Sequence, residues 1–208
     1  VHPSSSSEAR HRLLEAAERL LREQGYEQVS VRAVNKAAGM NPAAVHYHFG
    51  SKQELVTALL EQRLRPLWED RLETLDERVR AGDPPDPAGL VDLLVRALAE
   101  TAADPDRRWL LGLLARLVLA EQPLPWRSPW ADPGPWTAML SRTLPHLPPE
   151  VVASRWRLAR DLLLVTYGSP FTAPDAVRPV PPPAETAAFV TAALSAPLPS
   201  DEVTHGLR

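Results

Sequence analysis

The chain has 208 residues, enough for one or two domains, and its 44% hydrophobic content is that of a globular protein with a real core. Twenty-three basic residues against 26 acidic ones leave a formal charge of −3, which excludes wholesale coating of nucleic acid or an anionic membrane; any nucleic-acid contact must be local. The absence of cysteine excludes a disulfide framework and thiolate metal ligation, and no apolar run approaches the roughly 20 residues needed to span a bilayer.

The opening stretch "VHPSSSSEARHR" has no apolar signal core, so a soluble cytoplasmic chain with no membrane partner is expected. Apolar residues recur at helical spacing nearly throughout, and no stretch alternates as a half-buried strand would, so the fold class is all-α. The first helix runs from Ser5 to Gln24, with Leu13, Ala17, Leu20 and Leu21 on one face and Ser5 and Glu8 at capping-box spacing. Ser30 is the N-cap of a short second helix that reaches Ala38 and stops at Gly39. Asn41 then Pro42 reads as N-cap and first helical residue of a third helix ending near Phe49. Ser51 and Glu54 form a second capping box and launch a long amphipathic helix to about Arg80. Pro66 should kink or break it, because proline cannot donate to the Gln62 carbonyl and its ring crowds that turn.

After the linker "AGDPPDPAG", helices are expected at about 87–103, 106–121, 135–144, 149–168 and 183–195. Asp86-Pro87 and Asp104-Pro105 repeat the N-cap and first-residue signature. Two proline-rich connections, "QPLPWRSPWADPGP" and "GSPFTAPDAVRPVPPP", are long enough to suggest loops with a role or mobility, and the tail from Ala196 reads as frayed. The organisation that follows is a head, 1–56, and a larger helical body, 57–208.

Two short helices joined by Gly39–Pro42 have helix-turn-helix spacing, in which the second helix enters the major groove. A third helix this short is unstable alone and must be held by the first and fourth. The stretch "VSVRAVNKAAGMNPAAVHYHFGSKQEL" resembles the DNA-binding segment of the TetR (tetracycline-repressor) family. The resemblance rests on Ser30, Ala38 and Gly39, on Tyr47, His48 and Phe49, and on Ser51, Lys52 and Leu55, and it covers about residues 8 to 60. One departure is Asn35, where the pattern usually has a small apolar residue; a polar side chain there loosens the helix pair unless it finds a hydrogen-bond partner.

The resemblance implies a homodimeric transcription factor, usually a repressor, that binds an inverted-repeat operator in double-stranded DNA. It also implies a body that takes a small-molecule effector which lowers DNA affinity. Tyr47 and Lys52 correspond to the family's phosphate contacts. The DNA-facing set is then Ser30, Arg32, Lys36, Asn41, Pro42, Ala43, Ala44, His46, Tyr47, His48 and Lys52. Within it Asn41 suits adenine edges, Ala43 and Ala44 suit thymine methyls, and His46 can donate or accept. Arg10 and Arg12 are further phosphate candidates, or solvated helix faces. Residues 1–56 hold seven basic and six acidic side chains, so the head carries +1 and the rest of the chain −4.

In the body, Trp109, Trp126, Trp130, Trp136, Met139 and Trp156 suit either an apolar effector cavity or ordinary core and loop anchors, with Trp126 and Trp130 as a gate. Arg116, Arg155 and Arg160 can meet a ligand carboxylate or simply face solvent. The helices at 149–168 and 183–195 correspond to the family's dimerisation pair, and Pro66 to a hinge between head and body. No cofactor or metal is expected: His46 and His48 lie on different helix faces, and catalytic motifs such as His-Glu-x-x-His, a Gly-rich phosphate loop or a nucleophile elbow are absent. The alternative class is a helical small-molecule binding protein with a degenerate DNA-binding head.

Overall fold

A computed structural model describes residues 5–128, 132–169 and 179–198, and within them all regular structure is helical. The helices are α1 (Ser5–Gln24), α2 (Val31–Ala37), α3 (Ala44–Phe49), α4 (Lys52–Arg80), α5 (Pro87–Ala103), α6 (Pro105–Leu119), α7 (Pro133–Thr143), α8 (Pro149–Gly168) and α9 (Pro183–Ser195). Among the described residues no helix is long and apolar enough to cross a membrane.

Local chemistry sets most boundaries. Ser30 Oγ accepts from the Ala33 amide and Ser51 Oγ from the Glu54 amide, each at 3.1 Å, satisfying first-turn donors of α2 and α4. Three Asp-Pro pairs start body helices in the same way: Asp86, Asp104 and Asp132 accept from the amides of Gly89, Asp106 and Gly134 at 2.8, 2.9 and 2.6 Å. The third pair moves the start of α7 to Pro133 from the expected 135, since Pro135 still lies in the first turn, where no donor is required. At the far end of α6, Glu121 takes a left-handed φ of 51°, and the Gln122 amide returns to the Leu117 carbonyl, which closes the helix at Leu119 instead of 121.

The Asn41-Pro42 pair does not open α3. Asn41 Oδ1 accepts from the Ala43 amide at 3.0 Å, a turn of the side chain on its own backbone, and the helix begins at Ala44. Nor does Pro66 break α4, which continues through it for 29 residues. The division expected at 56/57 falls inside this helix, so head and body share it.

In the head, α1 buries Leu13, Ala17 and Leu21 with Val34 of α2, Val45 of α3 and Leu55 and Leu59 of α4. Arg63 of α4 ties back to Glu18 of α1 at 2.6 Å. In the body, α6 lies along α8, α5 against α9, and α7 against α8. The α6–α8 crossing is tight because Gly168 lacks a side chain: a Cβ there would lie 2.6 Å from Ala115 Cβ and 2.9 Å from the Leu111 carbonyl oxygen. Past α9 the chain is held, not frayed, as far as Pro197: Arg155 donates to the carbonyls of Leu194 at 2.9 Å, Ala196, and Pro197 at 3.2 Å.

Candidate nucleic-acid interface and effector cavity

The six residues of α3 cannot hold a helix by themselves, and Ala43 before them has no capping side chain. The cap comes from α2. Asn35, 1% exposed, accepts from the Val45 amide through Oδ1 at 3.0 Å and donates through Nδ2 to the Pro42 carbonyl at 2.6 Å. Its own carbonyl accepts from the Met40 amide at 2.9 Å, so one residue fixes both sides of the turn. The packing that a polar residue would loosen is pinned by it instead.

Two arginines of α1 complete the clamp. Arg12 donates to the Ala38 carbonyl at 2.6 Å, and Arg10 donates to the His48 carbonyl at 2.5 Å with its guanidinium 4.2 Å from the Phe49 ring centre. Each cation therefore sits at the carbonyl end of a short helix, where it offsets the partial negative charge. Gly39, at φ 64°, lets the chain leave α2 beneath Arg12. Lys52 is also drawn inward: Nζ donates to the Tyr26 carbonyl at 2.6 Å and lies 4.0 Å from the Tyr26 ring centre. Burial lowers its pKa from the ordinary lysine value, against the opposing charge of Glu27.

With these cations occupied, the face left open is made by Arg32 and Lys36 of α2, by Asn41, Pro42 and Ala43 of the turn, and by His46 and Tyr47 of α3. Tyr47 is 83% exposed and meets the His48 ring edge-on at 4.9 Å. Ser30 is exposed but committed as a cap, and His48 is half-buried. Ala44 leaves the expected reading set: it is 3% exposed and belongs to the core, and α3 begins two residues later than the sequence suggests. His46 Nδ1 lies 2.9 Å from the Gly50 carbonyl; a carbonyl only accepts, so the proton sits on Nδ1 and a neutral ring keeps Nε2 as an acceptor.

In the body, α4 to α8 surround a cavity of about 220 Å³. Leu60, Leu64, Trp68 and Leu72 project into it from α4, Leu94 and Leu98 from α5, Leu114 from α6, and Leu163 and Leu164 from α8. Of the expected effector residues, Trp126, Trp136 and Trp156 line it, and the last two stack at 5.2 Å with rings 19° apart. The others do not. Trp109 sits beneath Arg22 of α1, Met139 is 3% exposed in the core away from the cavity, and Arg116 lies on the exposed side of α6. Trp130 lies outside the described residues. Trp68 was the residue to find, since Leu60, Leu64, Trp68 and Leu72 recur every four positions along α4. Glu61 Oε1 accepts from the amides of Arg127 and Ser128, which fastens the Trp126 loop to α4.

Short helices clamped around a tight turn, with an exposed polar and aromatic face, define a helix-turn-helix head on an all-α body. Residues 13–59 match the model for bacterial regulatory proteins of the tetR family. The HTH-type transcriptional regulator AcrR of Shigella flexneri is 29% identical over 110 residues, covering 52% of this chain and 49% of that protein. The HTH-type transcriptional repressor AcnR of Corynebacterium efficiens is 31% identical over 127 residues, covering 60% and 57%. The chain thus spans about half the length of these curated relatives. Among solved structures, AibR in complex with isovaleryl coenzyme A and operator DNA superposes with a TM-score of 0.51 at 18% identity, over 91% of this chain and all of that one, a likeness of fold.

Proposed function

We propose that the chain is a cytoplasmic homodimeric transcriptional regulator, a repressor that leaves an inverted-repeat operator when a small lipophilic or aromatic effector enters the body. The observation that carries this reading is the dual use of α4. Its first turns place Leu55, Val56 and Leu59 in the core of the head, while Leu60, Leu64, Trp68 and Leu72 wall the cavity. A ligand pressing on that wall acts on the helix from which the reading head hangs, provided it binds one head spacing better than another.

On DNA, Arg32, Lys36 and Tyr47 meet phosphates, while Asn41, Ala43 and His46 meet base edges and Pro42 shapes the turn. Lys52 contributes a phosphate contact only through the donors its bond to Tyr26 leaves open. A single α3 reads too few bases, so two heads at half-sites about 34 to 36 Å apart, or a multiple of that, are needed. The pairing surface is α8 with α9, where Leu158, Leu162 and Phe189 are exposed at 64, 38 and 64%. AibR, whose complex holds both an acyl-coenzyme A and operator DNA, supports one chain of this fold doing both.

Selection of bound duplexes from a random DNA pool by the purified protein, followed by sequencing, tests the proposal. An enriched inverted repeat is expected. No enrichment at low and moderate salt would sink it and leave a binding protein with a degenerate head.

A further inference from the structure

His46 and Gly50 hold one another at two points. The Gly50 amide donates to the His46 carbonyl at 3.0 Å, and His46 Nδ1 donates to the Gly50 carbonyl at 2.9 Å. Gly50 reaches this position at φ 92°, where a residue with a Cβ is rarely found. The imidazole is exposed, yet its orientation is set from within the fold.

A neutral imidazole has one N–H and one free lone pair. The carbonyl takes the N–H at Nδ1, so the lone pair stands on Nε2, across the ring and turned away from Gly50. The other polar side chains of the open face behave differently. Arg32 and Lys36 can only donate, while the Asn41 amide and the Tyr47 hydroxyl carry both a donor and an acceptor. Within that set His46 is the side chain that offers an acceptor and no donor.

In the major groove an acceptor has two partners, the N4 amine of cytosine and the N6 amine of adenine. Guanine presents O6 and N7, and thymine presents O4, all of them acceptors that repel a lone pair. Adenine places N7 beside its amine, so a lone pair approaching N6 meets a second one. Cytosine presents the amine alone.

We propose that His46 is a specificity-determining residue that selects one cytosine in each half-site, with Nε2 accepting from the cytosine N4 amine. Adenine is the second choice there, and guanine and thymine are rejected. The inference rests on reading the head as a DNA-binding module.

Selection from a random duplex pool reads this column by column, with wild-type protein and His46→Ala compared at about pH 8, where imidazole side chains are neutral. Wild-type protein is expected to enrich cytosine at one column of each half-site, and a duplex with thymine there to bind about tenfold more weakly. In His46→Ala that column alone loses its preference. A merely structural role would weaken every column together and leave the cytosine-to-thymine ratio as it was. A measurement on the wild-type protein does not depend on the variant's folding well enough to bind DNA. In a nitrogen-labelled sample the His46 ring, identified by its loss in His46→Ala, is expected to carry its proton on Nδ1.

A ring protonated on Nε2 alone, a His46-dependent column that prefers any base but cytosine, or a cytosine column that survives in His46→Ala would each overturn the proposal. An operator enriched without a His46-dependent column removes this inference and leaves the regulator standing. No enrichment by wild-type protein removes both.

Discussion

A buried amide with both ends bonded is costly to truncate, because its backbone partners stay buried after the side chain has gone. Asn35→Ala strips the Pro42 carbonyl and the Val45 amide of their partners. A loss of about 1 to 3 kcal/mol is expected, read as a lower urea midpoint with unchanged slope. DNA affinity should fall further than stability accounts for, since α3 loses the side chain that caps its first turn. The sequence showed a polar residue in an apolar position and could not show its partners, which are backbone groups brought within reach by the turn itself. The arginines make the same point. Arg10 and Arg12 look like phosphate ligands by composition, yet serve as helix-end clamps; Arg32 and Lys36 stand free of those duties on the exposed face of α2. Arg32→Ala or Lys36→Ala should each lower the slope of log affinity against log salt by about 1 with the melting temperature unchanged. Arg10→Ala should lower the melting temperature and alter that slope less.

Among the elements, caps were legible and turns were not. Asp-Pro and Ser-x-x-Glu signatures mark helix starts because the side chain bonds its own first turn, a purely local event. Asn41 defeats that logic: the same side chain suits a cap or an isolated turn, and the choice is made by Asn35 from another helix. The α6–α8 crossing was also illegible, because nothing local marks Gly168 as a close approach. Gly168→Ala should destabilise by about 1 to 3 kcal/mol through overpacking against Ala115 and the Leu111 carbonyl, measurable by urea denaturation. Pro66 lies in a continuous helix 14 residues from Lys52, an arm of about 21 Å, so a tilt of about 5° moves the head end by about 2 Å. Pro66→Ala restores the missing backbone donor. It should raise the melting temperature and demand more ligand for DNA release; release at unchanged ligand concentration would take Pro66 out of the coupling.

For the whole molecule, the decisive feature is an apolar surface on the two helices farthest along the chain. Phe189→Glu combined with Leu158→Glu places like charges on α8 and α9 and should convert the proposed dimer to a monomer in sedimentation equilibrium. Operator affinity should collapse while the helical circular-dichroism spectrum is retained. A dimer that persists would place the pairing surface elsewhere. The all-α class and most helix spans were readable from periodicity, which every helix repeats along its own length. The cavity was only half readable: tryptophans announce an apolar surface, but whether an indole faces a void, a neighbour or solvent depends on how five helices lean together. Trp109 and Trp136 look alike in sequence and differ by that alone.

The clamp on α3 separates duties that are often fused. Asn35, Arg10, Arg12 and Lys52 hold the head from positions away from the reading face, while Ala43 and Tyr47 bear almost no structural obligation. Substitutions at those two positions can drift, or be chosen by an engineer, at little cost in folding. On the proposed function, a lineage descended from this chain would thus change its preferred sites on a chromosome far faster than it changed its shape.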